Sequence, residues 1–378
     1  MTESVDILII GGGISGVSLA ARLAGRANVA VLEAEEHLGT QATGRSAALL
    51  VEAYGPPPIR RLTAMSRAFF ENPPEGFADA GLASVRGGLV YAPPDGLERL
   101  RGEYELARRT TEVVWLEAEA VLRASPLLKP GHAAAGFMEP GALDLDANAL
   151  LQGFARMAQR GGATILTHAP VERIERRADG WLVRAGEKDV ACRILVDAAG
   201  AWADDVAAHA GVAKRGLQPM RRTAATVGVP DELKPLLARH PFVAPADESF
   251  YFKPDAGAIM VSLSDETPSE PCDAWADDFD VALALDRFHA ATIVPPARPI
   301  ATWAGLRTFA PDRLPVVGFD ADAENFFWYA GQGGYGIQTS PALSALAAKL
   351  ICGEALEERE AGIARVLDSG RRIDGVHG

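Results

Sequence analysis

Short apolar runs and glycine-rich turns alternate at the start of the chain. Residues 5–10 form an apolar run interrupted only by Asp6, which is typical of a buried strand. Residues 14–24 have a helical pattern of apolar positions, and residues 29–32 form a second apolar run. The succession of strand, glycine turn, helix and strand predicts a βαβ unit at the N-terminus.

The same alternation returns in the middle and at the end of the chain. Residues 193–197 and 326–330 are predicted to be buried strands, and residues 337–352 a long helix. Residues 218–307 are richer in predicted strands. Small and polar residues predict that 35–50 is a loop leading into a short helix. These segments predict an α/β fold, in which a Rossmann-like nucleotide-binding domain is interleaved with a smaller β-rich substrate domain.

Both predicted domains are discontinuous, because strand-rich segments interrupt the nucleotide-binding units twice. The length of 378 residues is sufficient for about two domains with their own cores. The predicted nucleotide-binding domain comprises residues 1–82, 144–217 and 308–378, and the predicted substrate-binding domain comprises residues 83–143 and 218–307.

Composition and charge argue against several function classes. Hydrophobic residues make up 48% of the chain and charged residues 23%, which is ordinary for a globular protein. The formal net charge of −13 argues against nucleic acid or an anionic membrane as a partner, since either requires a basic face. The apolar N-terminal stretch contains charges and several glycines, so we expect no integral membrane segment.

Cysteine and histidine usage indicates the compartment and argues against a metal. Cys192, Cys272 and Cys352 are far apart and odd in number, which favours a reducing compartment over a disulfide framework. The seven histidines are scattered without ligand spacing, so we expect no metal site. The chain starts without a basic signal region. We therefore expect a cytoplasmic location, or a peripheral one at the membrane through an electron acceptor.

The turn after the first strand has the spacing of a dinucleotide-binding motif. Gly11, Gly13 and Gly16 follow the strand as G-x-G-x-x-G. Gly11 permits the tight turn, Gly13 lets the backbone approach a pyrophosphate, and Gly16 allows close packing of helix on strand. The phosphates would lie at the positive N-terminus of the helix. Glu33, at the end of the second run, can accept hydrogen bonds from ribose hydroxyls.

A second glycine cluster favours FAD over a nicotinamide cofactor. Gly331, Gly333, Gly334 and Gly336 follow the last predicted strand and precede the last long helix. A second backbone nest directed at the first suits a long, extended FAD. Apart from residues 11–16 and this C-terminal cluster, whose Gly331, Gly333 and Gly336 have the same spacing, the sequence contains no G-x-G-x-x-G motif that could serve NAD(P)H. An NAD-dependent dehydrogenase remains an alternative, which a yellow flavoprotein would exclude.

Five motifs together resemble one enzyme family. The chain is similar to the D-amino acid oxidase family of FAD-dependent oxidoreductases in IIGGGISG (9–16), TGRSAA (43–48), LVDAAGAW (195–202), WAGLR (303–307) and QGGYGIQ (332–338). Three further stretches most resemble the bacterial D-arginine dehydrogenases of that family, namely AYG (53–55), SRAFFENPP (66–74) and ESFYFKPDAG (248–257). The resemblance implies a small-molecule amino acid substrate, oxidised by hydride transfer from Cα to flavin N5.

The resemblance also implies how the cofactor is held. No cysteine lies between Cys272 and Cys352, which agrees with non-covalent FAD. The residues expected to contact it are Gly11, Gly13, Ile14, Ser15, Gly16, Glu33, Ala34, Thr43, Gly44, Arg45, Ser46, Ala47, Ala48, Leu49, Val171, Ala199, Gly200, Trp202, Gly331, Gly333, Gly334, Tyr335, Gly336, Ile337, Gln338 and Thr339.

Amine oxidation of this type needs a firm grip on the substrate carboxylate. A guanidinium provides two parallel hydrogen bonds, and the resemblance assigns this clamp to Arg307, with Arg222 nearby. Tyr251 and Tyr54 would add hydroxyl donors, and the Gly334 carbonyl would accept from the substrate amine. From the residues alone, Arg307 could also bridge the domains, and Tyr251 could be a core residue.

The chain departs from the D-arginine dehydrogenase pattern where that enzyme binds a cationic side chain. Gly88 replaces a glutamate, Leu49 a histidine and Val51 a threonine. An unpaired cation would be badly desolvated there. We therefore expect oxidative deamination of D-amino acids with uncharged side chains, to 2-imino or 2-oxo acids. Arg86 and Glu52 are unmatched charges near this region, which leaves an acidic substrate open.

Other functions on the same scaffold remain open from the sequence. They are the oxidation of another small amino, N-methylamino or 2-hydroxy acid, and a non-catalytic flavin-binding subunit. The electron acceptor is expected to be quinone-like or O₂, and the sequence does not distinguish an oxidase from a dehydrogenase.

Overall fold

A computed structural model describes residues 2–373. Its α-helices are α1 Ile14–Leu23, α2 Pro57–Glu71, α3 Leu97–Ala107, α4 Ala118–Ala124, α5 Ala147–Arg160, α6 Ala203–His209, α7 Lys234–Leu237, α8 Asp278–Ala291, α9 Gly336–Cys352 and α10 Glu358–Leu367. Its strands are β1 Thr2–Ile10, β2 Val29–Leu32, β3 Leu49–Leu50, β4 Ala83–Val85, β5 Gly88–Ala92, β6 Val114–Glu117, β7 Ala135–Glu139, β8 Leu143–Leu145, β9 Thr164–Leu166, β10 Val171–Arg177, β11 Gly180–Ala185, β12 Lys188–Asp197, β13 Gln218–Val227, β14 Phe242–Pro245, β15 Tyr251–Asp255, β16 Ala258–Ser262, β17 Thr267–Pro268, β18 Pro299–Phe309, β19 Val316–Phe319 and β20 Phe326–Ala330.

The first sheet is built on parallel strands in the order β20-β12-β1-β2-β9. An antiparallel meander of β11 and β10 continues from the first half of β12, and β19 pairs antiparallel with β20. The carboxyl ends of the parallel strands therefore meet at one edge of the sheet. In open α/β sheets this edge is where ligands bind.

Alternate residues of β1 enter two different cores. Ile7 and Ile9 pack with α1, α2, α5 and α9 on one face of the sheet. Leu8 and Ile10 pack with β10, β11 and α6 on the other face. Because side chains alternate along a strand, the apolar run at the start of the chain is buried on both sides, as a central parallel strand requires.

The second sheet has the order β17-β13-β16-β15-β14-β5-β7-β6, and β18 runs antiparallel along the other side of β13. Its strands come from residues 88–139 and 218–309. A small third sheet, β3-β8-β4, lies where the chain passes between the two larger sheets. No helix within residues 2–373 combines the length and hydropathy needed to cross a bilayer.

One secondary-structure prediction was wrong. Residues 35–50 contain turns and the short strand β3, and not a short helix. The Gly44 N–H donates to the Gly39 carbonyl at 2.8 Å, which closes a turn, and Thr43 Oγ1 accepts the N–H of Ile14 at 3.0 Å. The segment is thus tied to the start of α1, and this contact competes with local helix formation.

The acidic segment from Asp265 to Asp280 contacts β13 and ends in the first turn of α8. Asp265 accepts hydrogen bonds from the backbone and hydroxyl of Thr223 at 2.7 and 3.0 Å. Asp280 forms an ion pair with Arg221 at 2.7 Å. The segment is therefore fastened to β13 by hydrogen bonds and charge.

Candidate active site

A cavity of about 600 Å³ lies between the carboxyl edge of the first sheet and the face of the second. Most of the predicted site residues line it. They are Gly11, Gly13, Ile14, Ser15, Glu33, Ala34, Thr43, Arg45, Ser46, Ala47, Ala48, Leu49, Tyr54, Val171, Ala199, Gly200, Trp202, Arg222, Tyr251, Arg307, Gly331, Gly333, Gly334, Gly336, Ile337 and Gln338.

Four predicted cofactor residues do not line the cavity. Gly16 lies one helical turn behind the wall, and a Cβ there would collide with the Gly11 carbonyl. Gly44 faces a different cavity. Tyr335 packs between aromatic rings, and the Thr339 hydroxyl donates to the Tyr335 carbonyl inside α9 at 2.8 Å. These four support the wall from behind, because packing or helix bonds turn them away from the cavity.

The glycine turn before α1 has the conformation that its spacing predicts. Gly11 has φ +110°, and a Cβ at this position would collide with the Ala198 carbonyl of the neighbouring strand. Gly13 is the N-cap of α1 in an extended conformation and has no side chain to cap the helix, while Thr43 Oγ1 accepts the N–H of Ile14 at 3.0 Å. The first turn of α1 therefore presents its positive end to the cavity.

Glu33 lies at the end of β2, on the cavity wall. Its Oε2 accepts the N–H of Gly12 at 2.7 Å, and its Oε1 accepts the N–H of Glu35 at 2.9 Å. Backbone donors thus fix the orientation of the carboxylate. Lone pairs remain on both oxygens for hydroxyl donors.

The N-terminus of α9 opens onto the same cavity. Tyr335 is its N-cap, and no side chain caps this helix either. Gly336, Ile337 and Gln338 line the wall. Gln338 Oε1 accepts the N–H of Val51 at 3.1 Å, while its buried Nε2 has no partner among the described residues. The cavity thus meets the N-termini of two helices whose N-cap residues provide no capping side chain, and each of these ends is suited to partial negative charge.

Arg45 joins the cavity wall to the second sheet. Its Nη1 donates to the carbonyls of Ala274 and Ala304 at 2.9 and 3.0 Å, and it also pairs with Asp273. Its charge is therefore used within the protein. Sequence reasoning did not predict this bridge, because the partners are more than 200 positions away.

The register of the second sheet brings three predicted catalytic residues onto one face. Arg222 lies opposite Gly305, and Arg307 lies opposite Met220, so the two arginines occupy diagonal positions on neighbouring strands. Tyr251 shares their cavity. The resemblance to a family anticipated this grouping, whereas the spacing of the residues in sequence did not.

Arg307 differs from the other two arginines of the cavity. Within residues 2–373 it has no carboxylate partner, whereas Arg45 pairs with Asp273 and Arg222 with Glu266 at 3.3 Å. Its Nη2 donates to the Tyr54 hydroxyl at 3.1 Å, and its Nη1 has no hydrogen-bond partner in this range.

The electrostatics of the two arginines differ as well. Burial lowers the pKa of Arg307 and the neighbouring Tyr54 and Tyr251 raise it, with a net rise, so the guanidinium stays charged. Burial and the charge of Arg307 lower the pKa of Arg222. The Nε of Arg222 donates to the Asp265 carbonyl at 2.7 Å. Among the described residues, the pair therefore forms a positive region with a single carboxylate partner, Glu266 on the Arg222 side.

Gly334 is packed directly against the guanidinium of Arg307. A Cβ at this position would overlap the guanidinium, so only glycine leaves Arg307 where it stands. The ring of Tyr54 lies 5.3 Å from the ring of Tyr335, and Arg307 lies 5.8 Å above the ring of Phe309. Aromatic side chains thus pack around Tyr54 and Arg307.

The remaining wall was not predicted. It is mostly apolar, with Ala53, Val90, Phe137, Phe242, Ala244, Pro245 and Ala246. Four carboxylates that were not predicted, Glu35, Glu103, Asp205 and Glu248, also line it. Glu103 lies 3.9 Å from Arg60, and Glu248 is exposed. Because these residues are distant in sequence and carry no motif, only folding reveals them.

The departures from the D-arginine dehydrogenase pattern lie in different places. Leu49 and Val51 line the cavity, whereas Gly88 does not. Arg86 pairs with Asp144, Nε to Oδ2 at 2.7 Å, and Glu52 pairs with Arg67. The two charges that left an acidic substrate open are therefore neutralised outside the cavity.

The family model for DAO, FAD dependent oxidoreductase, matches residues 6–350. The chain belongs to this family. The cavity fits the cofactor: the N-termini of two helices face it, its glycine turn has no room for a Cβ at Gly11, and an oriented carboxylate stands at the end of β2. FAD is the cofactor of this DAO-family protein. In the described part of the chain, no three His, Cys, Asp or Glu side chains are grouped to hold a metal.

The relatives of this DAO-family protein include amine-oxidising enzymes. Human mitochondrial dimethylglycine dehydrogenase is 27% identical over 364 residues, which is 89% of this chain and 41% of the human protein. The chain therefore spans about two fifths of that relative. Glycine oxidase of Geobacillus kaustophilus is 27% identical over 365 residues, covering 93% of this chain and 94% of the oxidase. These matches do not support a specific kinship with D-arginine dehydrogenase.

Solved structures show the same fold. Glycine oxidase from Geobacillus kaustophilus superposes with a TM-score of 0.84 at 23% identity, covering 99% of this chain and all of the other. L-proline dehydrogenase from P. horikoshii superposes with a TM-score of 0.83 at 22% identity, covering 95% and 96%. The Rossmann-like FAD domain with a second, β-rich unit is thus confirmed as the fold class.

Proposed function

We propose that this protein oxidises the Cα–N bond of a small α-amino acid. The observation that carries the proposal is the state of Arg307, which is charged, half-buried and without a carboxylate partner in residues 2–373. Its Nη1 is buried without a hydrogen-bond partner in this range, and such an uncompensated charged group is costly unless a ligand provides the anion. A substrate carboxylate meets this need with two parallel hydrogen bonds.

We assign FAD binding to the wall that the first sheet provides. The first turn of α1, with Gly11, Gly13 and Ser15, would hold the diphosphate, and Glu33 would accept from a ribose hydroxyl. The N-terminus of α9 would face the polar edge of the flavin ring. When bound, FAD supplies the acceptor for the two electrons of the Cα–H bond. The domain division given above is part of this proposal.

Substrate positioning is the task of the protein side chains. Arg307 binds the carboxylate. The Tyr54 hydroxyl accepts from Nη2 of Arg307 at 3.1 Å, which orients the guanidinium, and its own proton is donated to the substrate carboxylate. The Gly334 carbonyl accepts from the amine. Fixing both ends of the short N–Cα–C unit leaves one face of Cα directed at the acceptor, which is the main requirement of the reaction.

The other residues of the cavity define the substrate class. Two donors of Arg222 are already bound to Asp265 and Glu266. We therefore assign Arg222 a role through its positive potential and leave the hydrogen bonds to the substrate carboxylate to Arg307. Tyr251 closes the side of the carboxylate site. The apolar wall favours an uncharged substrate side chain, and we propose the D configuration where Cα is chiral.

An N-methylated glycine is the second candidate substrate. The 27% identity to dimethylglycine dehydrogenase and glycine oxidase favours it, since their named substrates are achiral and small. Both candidates require the same carboxylate clamp, so they differ only in what surrounds the nitrogen.

Anaerobic titration of the FAD-loaded protein tests the proposal. The panel comprises glycine, sarcosine, N,N-dimethylglycine and the D and L forms of Ala, Leu, Met, Phe, Arg and Glu. We expect bleaching of the visible flavin band by small or uncharged members. The products then separate the two candidates: a primary amino acid releases ammonia, whereas an N-methylated glycine releases methylamine if its Cα is oxidised or formaldehyde if its methyl carbon is oxidised. Re-oxidation by O₂ or a quinone identifies the acceptor. A flavin that no amino acid reduces would overturn the proposal and favour a non-catalytic flavin subunit.

A further inference from the structure

Glu139 is a buried carboxylate that the proposed chemistry does not use. It is the last residue of β7 and only 1% exposed. Its Oε1 accepts the N–H of Glu52 at 2.9 Å, and its Oε2 accepts the N–H of Ala53 at 3.0 Å. Both oxygens of one carboxylate therefore hold two consecutive amides of the segment that carries Tyr54.

This segment, residues 52–55, has no regular secondary structure to hold it in place. Arg60 of α2 donates to the Gly55 carbonyl at 2.6 Å, and the Tyr54 N–H donates to Val51 at 3.2 Å. The amides of Glu52 and Ala53 depend on Glu139. Since Tyr54 is the next residue, these two bonds fix the backbone from which its ring projects.

From these contacts we propose that ionised Glu139 is a positioning residue, which holds the 52–55 segment so that the Tyr54 hydroxyl reaches Arg307. When Glu139 takes up a proton, its hydroxyl oxygen becomes a donor and a poor acceptor. One of the two amides then loses its partner, and the segment loosens. Substrate carboxylate binding therefore weakens as the pH falls, provided that Tyr54 has the role proposed above.

The charged groups around Glu139 determine where this switch lies. Glu52 disfavours the ionised form, while Arg67 favours it. Arg60 also faces Glu139 from α2, and Glu103 of α3 lies on the far side of Arg60 at 3.9 Å. β5 presents only Gly88 in the pairing register. Burial outweighs the Arg67 charge and the two backbone hydrogen bonds, which favour the ionised form, and raises the pKa of Glu139 to about 7.

Hydrogen–deuterium exchange of the full-length, FAD-loaded protein tests the proposal without any substrate. The readout is a peptide covering residues 49–56, between about pH 6 and pH 8.5, with exchange times scaled for the intrinsic pH dependence. We expect the amides of the wild type to become severalfold more protected as the pH rises through neutrality. The Glu139→Gln variant should exchange quickly at every pH, since its amide group places a donor against a donor.

A second readout is the pH profile of KM and kcat for the best substrate of the panel. Glu139→Gln should raise KM about tenfold at high pH and remove its dependence on pH near neutrality. The change in kcat should be smaller. Glu71→Gln is the matched control, because it removes an exposed carboxylate of the same Arg67 network and leaves the amides untouched.

Several outcomes would overturn the proposal. One is wild-type exchange without pH dependence, and another is a Glu139→Gln variant with wild-type protection and KM profile. If the variant does not fold, the wild-type exchange series decides alone. If no amino acid reduces the flavin, the proposed function fails, while the exchange result still decides whether Glu139 holds the segment.

Discussion

The two ends of the cavity are built in different ways. At the α1 end, the wall is backbone: Gly11 and Gly13 line the cavity without side chains, and even Glu33 is oriented by backbone N–H groups. At the Arg307 end, the wall is side chains that touch one another, with Tyr54 and Arg222 brought from distant segments. In our proposal, the α1 end binds FAD through the local conformation of the chain. The Arg307 end binds the substrate through side chains that tertiary folding brings together.

This difference teaches where each kind of function is vulnerable. The wall of Gly11, Gly13 and Glu33 at the α1 end, called the cradle below, is formed mainly by backbone. A site of this kind tolerates changes of nearby side chains but loses its ligand when a Cβ is added to a glycine. A side-chain clamp tolerates changes of backbone propensity and fails when one polar group is replaced. Variants at the two ends should therefore separate cofactor content from substrate binding.

The largest effect is expected at Gly11. In Gly11→Val, the new Cβ collides with the Ala198 carbonyl and the φ of +110° becomes strained. We expect essentially complete loss of bound FAD, measured as the ratio of flavin to protein absorbance after purification. Gly131→Ala is the control: its φ is +81° but no atom lies within 4 Å of a Cβ there, so FAD content should stay normal. A Gly11→Val protein that purifies yellow, with FAD bound, would contradict the proposal that the glycine turn binds the cofactor.

The cradle is also the part that sequence predicts best. Gly11, Gly13 and Glu33 fall within one βαβ unit, so their spacing alone fixes their spatial relation. The strands and helices of the first sheet followed from apolar periodicity for the same reason. The short helix predicted before residue 50 failed because Thr43 is used to bind the start of α1, a contact that no local pattern encodes.

The substrate end could be predicted only through resemblance. Arg222 and Arg307 are neighbours because β13 and β18 pair in one register, which sequence spacing does not reveal. Glu139 and Arg45 were not predicted to hold segments together, because their partners are backbone groups far away in the chain. Because nearly every residue has the same backbone N–H and C=O groups, the sequence does not show which of them a side chain will bind.

The next largest effect is expected for Arg307→Lys. An ammonium cannot form two parallel bonds to a carboxylate, so we expect kcat/KM to fall about a thousandfold, equivalent to about 4 kcal/mol. FAD content should be unchanged, which separates this end from the cradle. Arg313→Lys is the control, since Arg313 lies over the same Phe309 ring at 4.1 Å but does not line the cavity. If Arg307→Lys also lost FAD, the claim that the two ends of the cavity bind cofactor and substrate separately would be wrong.

A pH effect on stability is expected from Glu139. Burial raises the pKa of its carboxyl from 4.5 to about 7, so the folded chain holds this proton more tightly than the unfolded chain. The stabilisation is complete below pH 4.5 and is lost as the pH rises through 7. Relative to Glu139→Gln, the wild-type free energy of unfolding should decrease over this window by no more than about 3 kcal/mol. Denaturant unfolding at several pH values measures it, with Glu71→Gln as control; a pH-independent difference would contradict the raised pKa.

The smallest effect is expected for Tyr54→Phe. The variant removes one hydroxyl from a charged site, which costs about 1.5 kcal/mol, or about tenfold in KM. The effect should appear in KM rather than in FAD content. Tyr104→Phe, a change outside the cavity in α3, should leave KM unaltered. If Tyr54→Phe behaves like this control, the hydroxyl has no part in substrate binding.

The most direct test of the account is a crystal structure of the FAD-loaded, chemically reduced protein with glycine, which cannot turn over in that state. The account predicts the diphosphate at the first turn of α1 and the glycine carboxylate within about 3 Å of the Arg307 guanidinium. A carboxylate bound away from Arg307, or a flavin ring at the opposite end of the cavity from Arg307, would contradict it.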